Sequence, residues 1–198
     1  MIYPRWKIWV LLIIPSEEKQ LSVHRMDFES KKNIEKNWFA LYTKPRSEFK
    51  AAGQLEFNEI NYYLPTVTSL KQWSDRKKKI TEPIIRGYIF IKADERERLL
   101  ALEQYSIVRC VTERGKPAVI PEWQIDNLKK MLECEGDFYV MNGLVPGKKV
   151  KIKDGPFAGV EGIYCESEND KTISVSIELL NRSVIAHLPK DSVIEIIN

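Results

Sequence analysis

The spacing of apolar residues from position 37 to position 135 predicts a region of mixed strands and helices. The apolar run 38–42 predicts a strand, and apolar residues at three-residue steps in 47–58 predict a helix, with Phe49, Ala52 and Leu55 on one face. The further predictions are strands at 62–68, 79–82, 88–92 and 107–111, and helices at 95–104 and 121–133. This order predicts an α+β fold, in which helices cover a mostly antiparallel sheet.

A different pattern begins near position 147. From Lys148 onward the chain consists of short β-type segments, and apolar and polar residues alternate strictly in 172–179. Short strands and turns of this kind predict a small all-β barrel. The segment between the two patterns lacks apolar periodicity and is predicted to be a linker. The predicted organisation is a poorly ordered extension at 1–36, a first domain at 37–135, a linker at 136–146 and a second domain at 147–198.

The second domain opens with a glycine-rich hairpin. Val150 and Ile152 alternate with lysines, which predicts that the two apolar side chains face a core and the lysines face solvent. Gly155 and Gly159 allow backbone angles that a β-carbon disfavours, and Pro156 fixes the turn. The residues of this motif are Gly147, Val150, Ile152, Gly155, Pro156, Phe157, Gly159 and Gly162.

Composition limits the class of protein. The 198 residues are 43% apolar and 30% charged, which is enough for a hydrophobic core in each of two small domains. Three widely spaced cysteines favour reduced thiols over a disulfide framework or a zinc site. The longest apolar run, 9–14, is too short for a membrane span or an export signal. We therefore expect a cytoplasmic protein with no membrane partner.

Positive charge is concentrated in one part of the chain. Residues 37–93 carry ten basic and five acidic side chains, whereas 94–142 carry seven basic and ten acidic ones. The basic residues gather at Lys71 and in the run 76–79. A cationic segment beside an acidic one predicts a side that faces phosphate. A solvated, charged loop is the alternative explanation.

Candidate catalytic groups are sparse. His24 and His187 are the two histidines, and neither has a cysteine, serine or carboxylate at a spacing typical of catalysis. The sequence contains no glycine-rich phosphate-binding loop and no regular metal-ligand spacing. We predict that the protein is not an enzyme and has no metal or cofactor.

The order of these features resembles the NusG family of transcription factors. Family landmarks appear in sequence at 38–42, 63–65, 82–91, 107–111 and 117–121, and the hairpin at 147–162 resembles the KOW motif. The resemblance implies an N-terminal NusG (NGN) domain, with an antiparallel sheet flanked by helices, followed by a small all-β KOW barrel. The run Tyr42 to Arg46, the compact loop before Glu82 and the N-terminal extension are similar to specialised paralogs of the UpxY and RfaH type.

This resemblance implies that an apolar depression docks on the clamp of RNA polymerase. The residues at the matching positions are Tyr42, Ile85, Gly87, Tyr88, Phe90 and Val111. Their alternative role is in the core, because alternation places Tyr88 and Phe90 on one face of a strand. The family often has Phe-Pro where this chain has Ile85 and Arg86, which leaves the role of Ile85 open.

The resemblance also implies contact with the non-template DNA strand in the transcription bubble. The matching basic residues are Lys44, Arg46 and Lys50, and the basic run adds Arg76 and Lys77. For Lys50, a solvated helix position is the equally open alternative. The KOW domain of the family binds Rho or a small-subunit ribosomal protein. Here its β-branched residues predict a stable barrel that does not switch to helices.

Three functions follow as expectations. The first is an antitermination and elongation factor that suppresses pausing or termination at selected operons, of the capsular polysaccharide type. The second is a general NusG elongation factor that acts at nearly all genes. The third, from another class, is a ribosomal RNA-binding protein with a KOW domain, although its pI of about 8.6 is low for that class.

Overall fold

The computed structural model describes residues 35–73, 76–166, 170–189 and 192–197. The extension predicted at 1–36 lies outside the described residues, except for its last two positions. Within the described parts of the chain, no helix has both the length and the apolar character needed to cross a bilayer.

Most of the strands and helices predicted for the first region are present. The helices are α1 (Glu48–Phe57), α2 (Glu95–Leu102) and α3 (Glu122–Glu133). The strands are β1 (Asn37–Thr43), β2 (Tyr62–Tyr63), β3 (Thr66–Gln72), β4 (Lys77–Pro83), β5 (Tyr88–Ala93), β6 (Ile107–Cys110), β7 (Thr112–Glu113), β8 (Lys116–Pro117) and β9 (Val119–Ile120).

A first antiparallel sheet is built around β1. Its strand order is β2–β5–β1–β6, and β9 also pairs with β1. The register between β1 and β5 runs from Asn37 opposite Ala93 to Tyr42 opposite Tyr88. Because successive side chains of a strand point to opposite faces, this register divides both strands into two sets of side chains.

Helices cover both faces of the first sheet. On one face, buried residues of β1 and β5 pack with Leu55 of α1 and Ala101 of α2. On the other face, Trp38, Ala40 and Phe90 pack with α3. The α3 side chains in this second cluster are Ile125, Leu128 and Met131, and Leu132 packs against it partly buried.

The inward face of α1 differs from the prediction. Ala51, Ala52 and Leu55 are buried as a stripe, but Phe49 is 52% exposed. The inward position in the first turn belongs to Glu48, whose carboxylate accepts a hydrogen bond from the backbone N–H of Gly87. The buried face of α1 therefore consists of positions 48, 51, 52 and 55, which follow the three- and four-residue spacing of a helix.

A second antiparallel sheet follows. Its strands are β10 (Phe138–Asn142), β11 (Lys148–Ile152), β12 (Glu161–Glu166), β13 (Lys171–Ile177), β14 (Arg182–His187) and β15 (Ile194–Ile196). Their order is β10–β14–β13–β12–β11–β15. As predicted from alternation, Val150 and Ile152 are buried, and Gly155 and Gly159 both have positive φ.

The segment 136–146, for which the sequence predicts a linker, contains strand β10. This strand pairs with β14 along its whole length, from Phe138 opposite Ala186 to Asn142 opposite Arg182. The Phe138 ring meets Phe157 edge to face, with centroids 6.3 Å apart. Only Phe138 and Val140 of β10 turn inward, and two alternating positions are too few to stand out in the sequence.

Helix α3 also contacts the second sheet. The side-chain carbonyl of Asn127 accepts a hydrogen bond of 3.1 Å from the Glu161 N–H. The Gln124 side chain accepts one of 3.3 Å from the Glu178 N–H. Both amide side chains are buried, and they satisfy one backbone donor in β12 and one in the short 3-10 turn that follows β13.

Candidate functional site

Two tyrosines lie at one end of the first sheet. Tyr42 of β1 and Tyr88 of β5 are directly opposite in register, on the face that α3 covers. Their rings meet edge to face, with centroids 5.4 Å apart and an interplanar angle of 66°. Both side chains are half-buried, unlike Trp38 and Phe90 farther along the same face. We call Tyr42 and Tyr88 the tyrosine pair.

Gly87 leaves room for the Tyr42 ring of the tyrosine pair. Its φ is +82°, in the region that favours glycine. Its N–H donates to the Glu48 carboxylate at 2.8 Å, and its carbonyl accepts from the Thr43 N–H at 2.9 Å. A β-carbon at this position would lie 3.3 Å from Cε2 of Tyr42. The absence of a side chain at 87 therefore lets the Tyr42 ring lie against the backbone.

A small pocket of about 160 Å³ adjoins the tyrosine pair. The Arg109 guanidinium lies 5.8 Å from the centre of the Tyr42 ring, within cation–π range. Burial raises the pKa of the Cys110 thiol, so this side chain is neutral at pH 7. The residues that line the pocket are Tyr42, Tyr88, Arg109, Cys110, Val111 and Thr112.

Two of the residues predicted to contact polymerase are core residues here. Ile85 and Phe90 are 1% and 0% exposed. Phe90 stacks on Tyr63, with ring centroids 6.4 Å apart. Phe90 follows Tyr88 on the same face of β5, but it lies nearer the middle of the sheet, where helix α3 covers it. Both side chains are therefore enclosed in the core and are not exposed beside the tyrosine pair.

A second surface combines lysine and exposed aromatic side chains. The Lys44 ammonium group lies 3.3 Å from the centre of the Tyr105 ring. Tyr105 is 76% exposed and Phe57, at the end of α1, is 87% exposed. Both rings and Lys50 line an open cavity of about 510 Å³. We call Lys44, Lys50, Phe57 and Tyr105 the lysine–aromatic surface.

Stacking rings beside cations suit unpaired bases and their phosphates. Lys44 and Lys50 were predicted from the sequence as candidates, whereas Tyr105 and Phe57 were not, because an aromatic residue in a predicted helix or loop is usually counted as core. Arg46, at φ +56° just before α1, is exposed. Arg76 and Lys77 lie on the β3–β4 hairpin and line neither pocket.

The residues of the hairpin at 147–162 have structural roles. Val150, Ile152 and Phe157 belong to the same buried cluster as Phe90 and the inward side chains of α3. A β-carbon at Gly147 or Gly162 would lie 2.5 Å from a backbone oxygen, of Tyr164 and Ser174 respectively, so a side chain at either position would force the strands apart. Pro156 is exposed in the turn.

No group of three or more histidine, cysteine or acidic side chains that could hold a metal ion occurs among the described residues. Burial raises the pKa of the Tyr63 hydroxyl above its ordinary range, and the nearby Glu133 carboxylate adds to this. Neither observation assigns catalytic chemistry to either surface.

Comparison with known proteins gives a family match for the first region. Residues 36–129 match the family model described as "Transcription termination factor nusG". A solved structure described as "Domain interaction in Thermotoga maritima NusG" has 18% identity and a TM-score of 0.45, covering 82% of this chain and 98% of that one. The "MjSpt4:Spt5 complex conformation B" has 16% identity and a TM-score of 0.26, covering 81% of this chain and 97% of that one. The region that contains both surfaces is therefore similar in sequence to the NusG family.

Proposed function

We propose that this chain is a transcription elongation factor of the NusG type and not an enzyme. It binds RNA polymerase through the tyrosine pair and acts in the cytoplasm, where it meets that partner. The observation that carries the proposal is the half-buried tyrosine pair beside an open pocket, within the residues that match the NusG family model.

The chemistry of the tyrosine pair suits a protein interface. Tyrosine and arginine dominate binding hot spots, because each combines a large contact area with hydrogen-bonding groups. Tyr42, Tyr88 and Arg109 meet at one pocket, and Val111 adds an apolar wall. The Tyr42 ring already packs against the Gly87 backbone and the Tyr88 ring before binding, which reduces the conformational entropy lost on docking. We place the polymerase clamp on this surface.

We assign the lysine–aromatic surface to the non-template strand of the transcription bubble. The unpaired bases of this strand can stack on Tyr105 and Phe57, while Lys44, Lys50 and Arg46 attract its phosphates.

We assign the second domain to a KOW barrel that binds Rho or a small-subunit ribosomal protein. The six-stranded antiparallel sheet and the glycine-rich hairpin support this assignment. Together these contacts would suppress pausing or termination at selected operons, of the capsular polysaccharide type.

Polymerase capture tests the first assignment. We expect the double variant Tyr42→Ala, Tyr88→Ala to bind purified core polymerase at least tenfold more weakly than the unchanged protein, a loss of about 1.4 kcal/mol or more. The matched control is Tyr139→Ala, which removes an exposed tyrosine from the second sheet. Equal binding by both variants and the unchanged protein would contradict the assignment.

Single-stranded DNA binding tests the second assignment. Tyr105→Ala should weaken binding severalfold with little change in salt dependence, because base stacking carries no ionic term. Lys44→Gln should reduce the slope of log K against log salt by about 0.7, the contribution of one phosphate contact. Lys148→Gln, at an exposed position of the second sheet, is the control. Unchanged binding in both surface variants would refute the role of this surface.

Genome-wide occupancy distinguishes selected operons from general action. Signal confined to a few transcription units supports the specialised factor. Signal at nearly all genes would contradict that part of the proposal while leaving polymerase docking intact.

A further inference from the structure

The β3–β4 hairpin is a two-stranded ribbon apart from both larger sheets. Its seven residue pairs run from Thr66 opposite Pro83 to Gln72 opposite Lys77. The Trp73 N–H donates to the Arg76 carbonyl at 2.8 Å, where the chain turns. Beyond its base, every side chain of the two described strands except the half-buried Ile80 is exposed. An isolated two-stranded ribbon is only marginally stable in water. A ribbon that leaves most of its side chains exposed therefore favours a role in binding a partner.

The charge of the hairpin identifies the chemistry of its partner. Residues 66–83 carry five basic and two acidic side chains, a net charge of +3 that equals the net charge of the whole chain. The ammonium group of Lys71 pairs with Glu82 at 2.6 Å. Lys77 and Lys79 are exposed, and neither forms an ion pair among the described residues. Such cations suit a polyanion such as a nucleic acid.

The register places cations on both faces of the ribbon. Leu70 opposite Lys79 and Gln72 opposite Lys77 share the face on which the Thr68 and Thr81 hydroxyls are 2.8 Å apart. Lys71 opposite Lys78 lies on the other face. A ribbon on a flat anionic surface needs cations on one face only. When a ribbon enters a groove with its turn first, each of its faces lies toward one rim of phosphates. Cations on both faces therefore favour a groove.

An exposed indole ring stands where the ribbon turns. Trp73 is 48% exposed, and the Lys78 ammonium group lies 5.2 Å from its ring centre. An indole can contact base edges and thymine methyl groups, while the lysine beside it contacts phosphate. The end of the ribbon therefore combines an apolar contact with positive charge.

We propose that the β3–β4 ribbon binds duplex DNA by entering its major groove. The major groove of B-DNA is about 12 Å wide and accepts a two-stranded β-ribbon, whereas the deep, narrow major groove of duplex RNA does not. Lys77 and Lys79 on one face reach the phosphates of one rim, while Trp73 at the turn contacts the base edges. Lys71 and Lys78 on the other face reach the phosphates of the opposite rim. This site is separate from the tyrosine pair and from the lysine–aromatic surface, so it adds duplex DNA to the proposed partners.

Fluorescence anisotropy with the purified full chain and no polymerase tests this proposal. The probes are a labelled DNA duplex of about 20 base pairs, one of its strands alone, and an RNA duplex of the same sequence. For the double variant Lys77→Gln, Lys79→Gln, we expect about a tenfold higher Kd for duplex DNA, and a slope of log K against log salt that is smaller by about 1.8. Trp73→Ala should weaken duplex binding severalfold without changing that slope.

The matched control is the double variant Lys116→Gln, Lys148→Gln, which removes two exposed lysines outside the hairpin. It should change the Kd for duplex DNA less than twofold. The proposal is overturned if the two double variants lose affinity for duplex DNA equally, if duplex RNA binds at least as tightly as duplex DNA, or if duplex DNA does not bind. Because single-stranded DNA is expected at the lysine–aromatic surface, the hairpin double variant should leave the Kd for the single strand nearly unchanged, and an equal loss for single strand and duplex also overturns the proposal. Polymerase capture by the hairpin variant, measured in parallel, should be unchanged, which separates this proposal from the polymerase-docking proposal.

Discussion

The two faces of the first sheet are built from the same strands but are covered by helices to different extents. One face is closed by α1 and α2, and its side chains on β1 and β5, such as Leu41 and Ile89, are fully buried. The other face is closed by α3 around Phe90, but the tyrosine pair at its end is left half-buried. Since both faces belong to the same strands, the covering helices decide which side chains are available to a partner.

This comparison separates an enclosed hydrophobic side chain from one that we propose to contact a partner. Phe90 and Tyr88 are two residues apart on one strand and point to the same face. Phe90 is enclosed, whereas Tyr88 meets Tyr42 beside an open pocket. Position under a helix, and not residue type, distinguishes the two roles.

Truncation of the enclosed side chains should have the largest effect on stability. Phe90→Ala should lower the free energy of unfolding by about 3–5 kcal/mol, and Ile89→Ala on the opposite face by about 2–5 kcal/mol, because each leaves a cavity. Tyr88→Ala should cost about 1 kcal/mol, since its ring is already partly solvated. Urea unfolding of the three variants measures the difference. If Tyr88→Ala cost as much as Phe90→Ala, the tyrosine pair would belong to the core.

Substitution of Gly87 should have an intermediate effect. Gly87→Ala places a β-carbon at positive φ and against Tyr42, and should destabilise the protein by about 1–2 kcal/mol. The matched control is Gly53→Ala in α1, where a β-carbon meets nothing within 4 Å. That change should stabilise the protein by about 0.5–1 kcal/mol, because alanine is the better helix former. Thermal unfolding of both variants tests this prediction, and the same sign for both would contradict it.

The smallest effect concerns Cys110, which is buried with the face closed by α1 and α2. Burial raises the pKa of its thiol; the Arg98 guanidinium opposes this shift and the Glu95 carboxylate adds to it. A raised pKa in the folded state means that the associated stability is present below the thiol pKa of the unfolded chain, about 8.5, and is lost as the pH rises above it.

Cys110→Ala should therefore show a shallower loss of stability than the unchanged protein between about pH 8 and pH 10. The measurement is the urea midpoint across that range. Cys165→Ala is the control for a thiol outside this cluster. An identical pH profile for Cys110→Ala and the unchanged protein would show that the Cys110 thiol is not shielded on this face.

The sequence predicted the helices and the main strands where the apolar pattern was long. Helix α3 shows a sustained stripe, and β13 alternates over most of its length, so both were recognised. Strand β10 was missed because it offers only two inward positions, and Phe49 was misplaced because the hydrogen bond of Glu48 to Gly87 sets the inward face of α1.

The surfaces were less predictable than the fold. Alternation placed Tyr88 and Phe90 on one face but could not say where α3 would end, so it could not separate the exposed ring from the enclosed one. Arg109 joins Tyr42 only through the pairing of β1 with β6. Tyr105 comes near Lys44 because the Lys44 N–H donates to the Ser106 carbonyl. These contacts depend on residues more than sixty positions apart, which local patterns do not report.

The most direct test of the central claim is site-specific photocrosslinking to RNA polymerase. A photoreactive phenylalanine analogue replaces Tyr88 in one sample and the exposed Phe49 of α1 in the other. We predict that the probe at position 88 crosslinks to polymerase in an assembled elongation complex and that the probe at position 49 does not. Crosslinking from position 49 with none from position 88 would show that polymerase does not dock on the tyrosine pair.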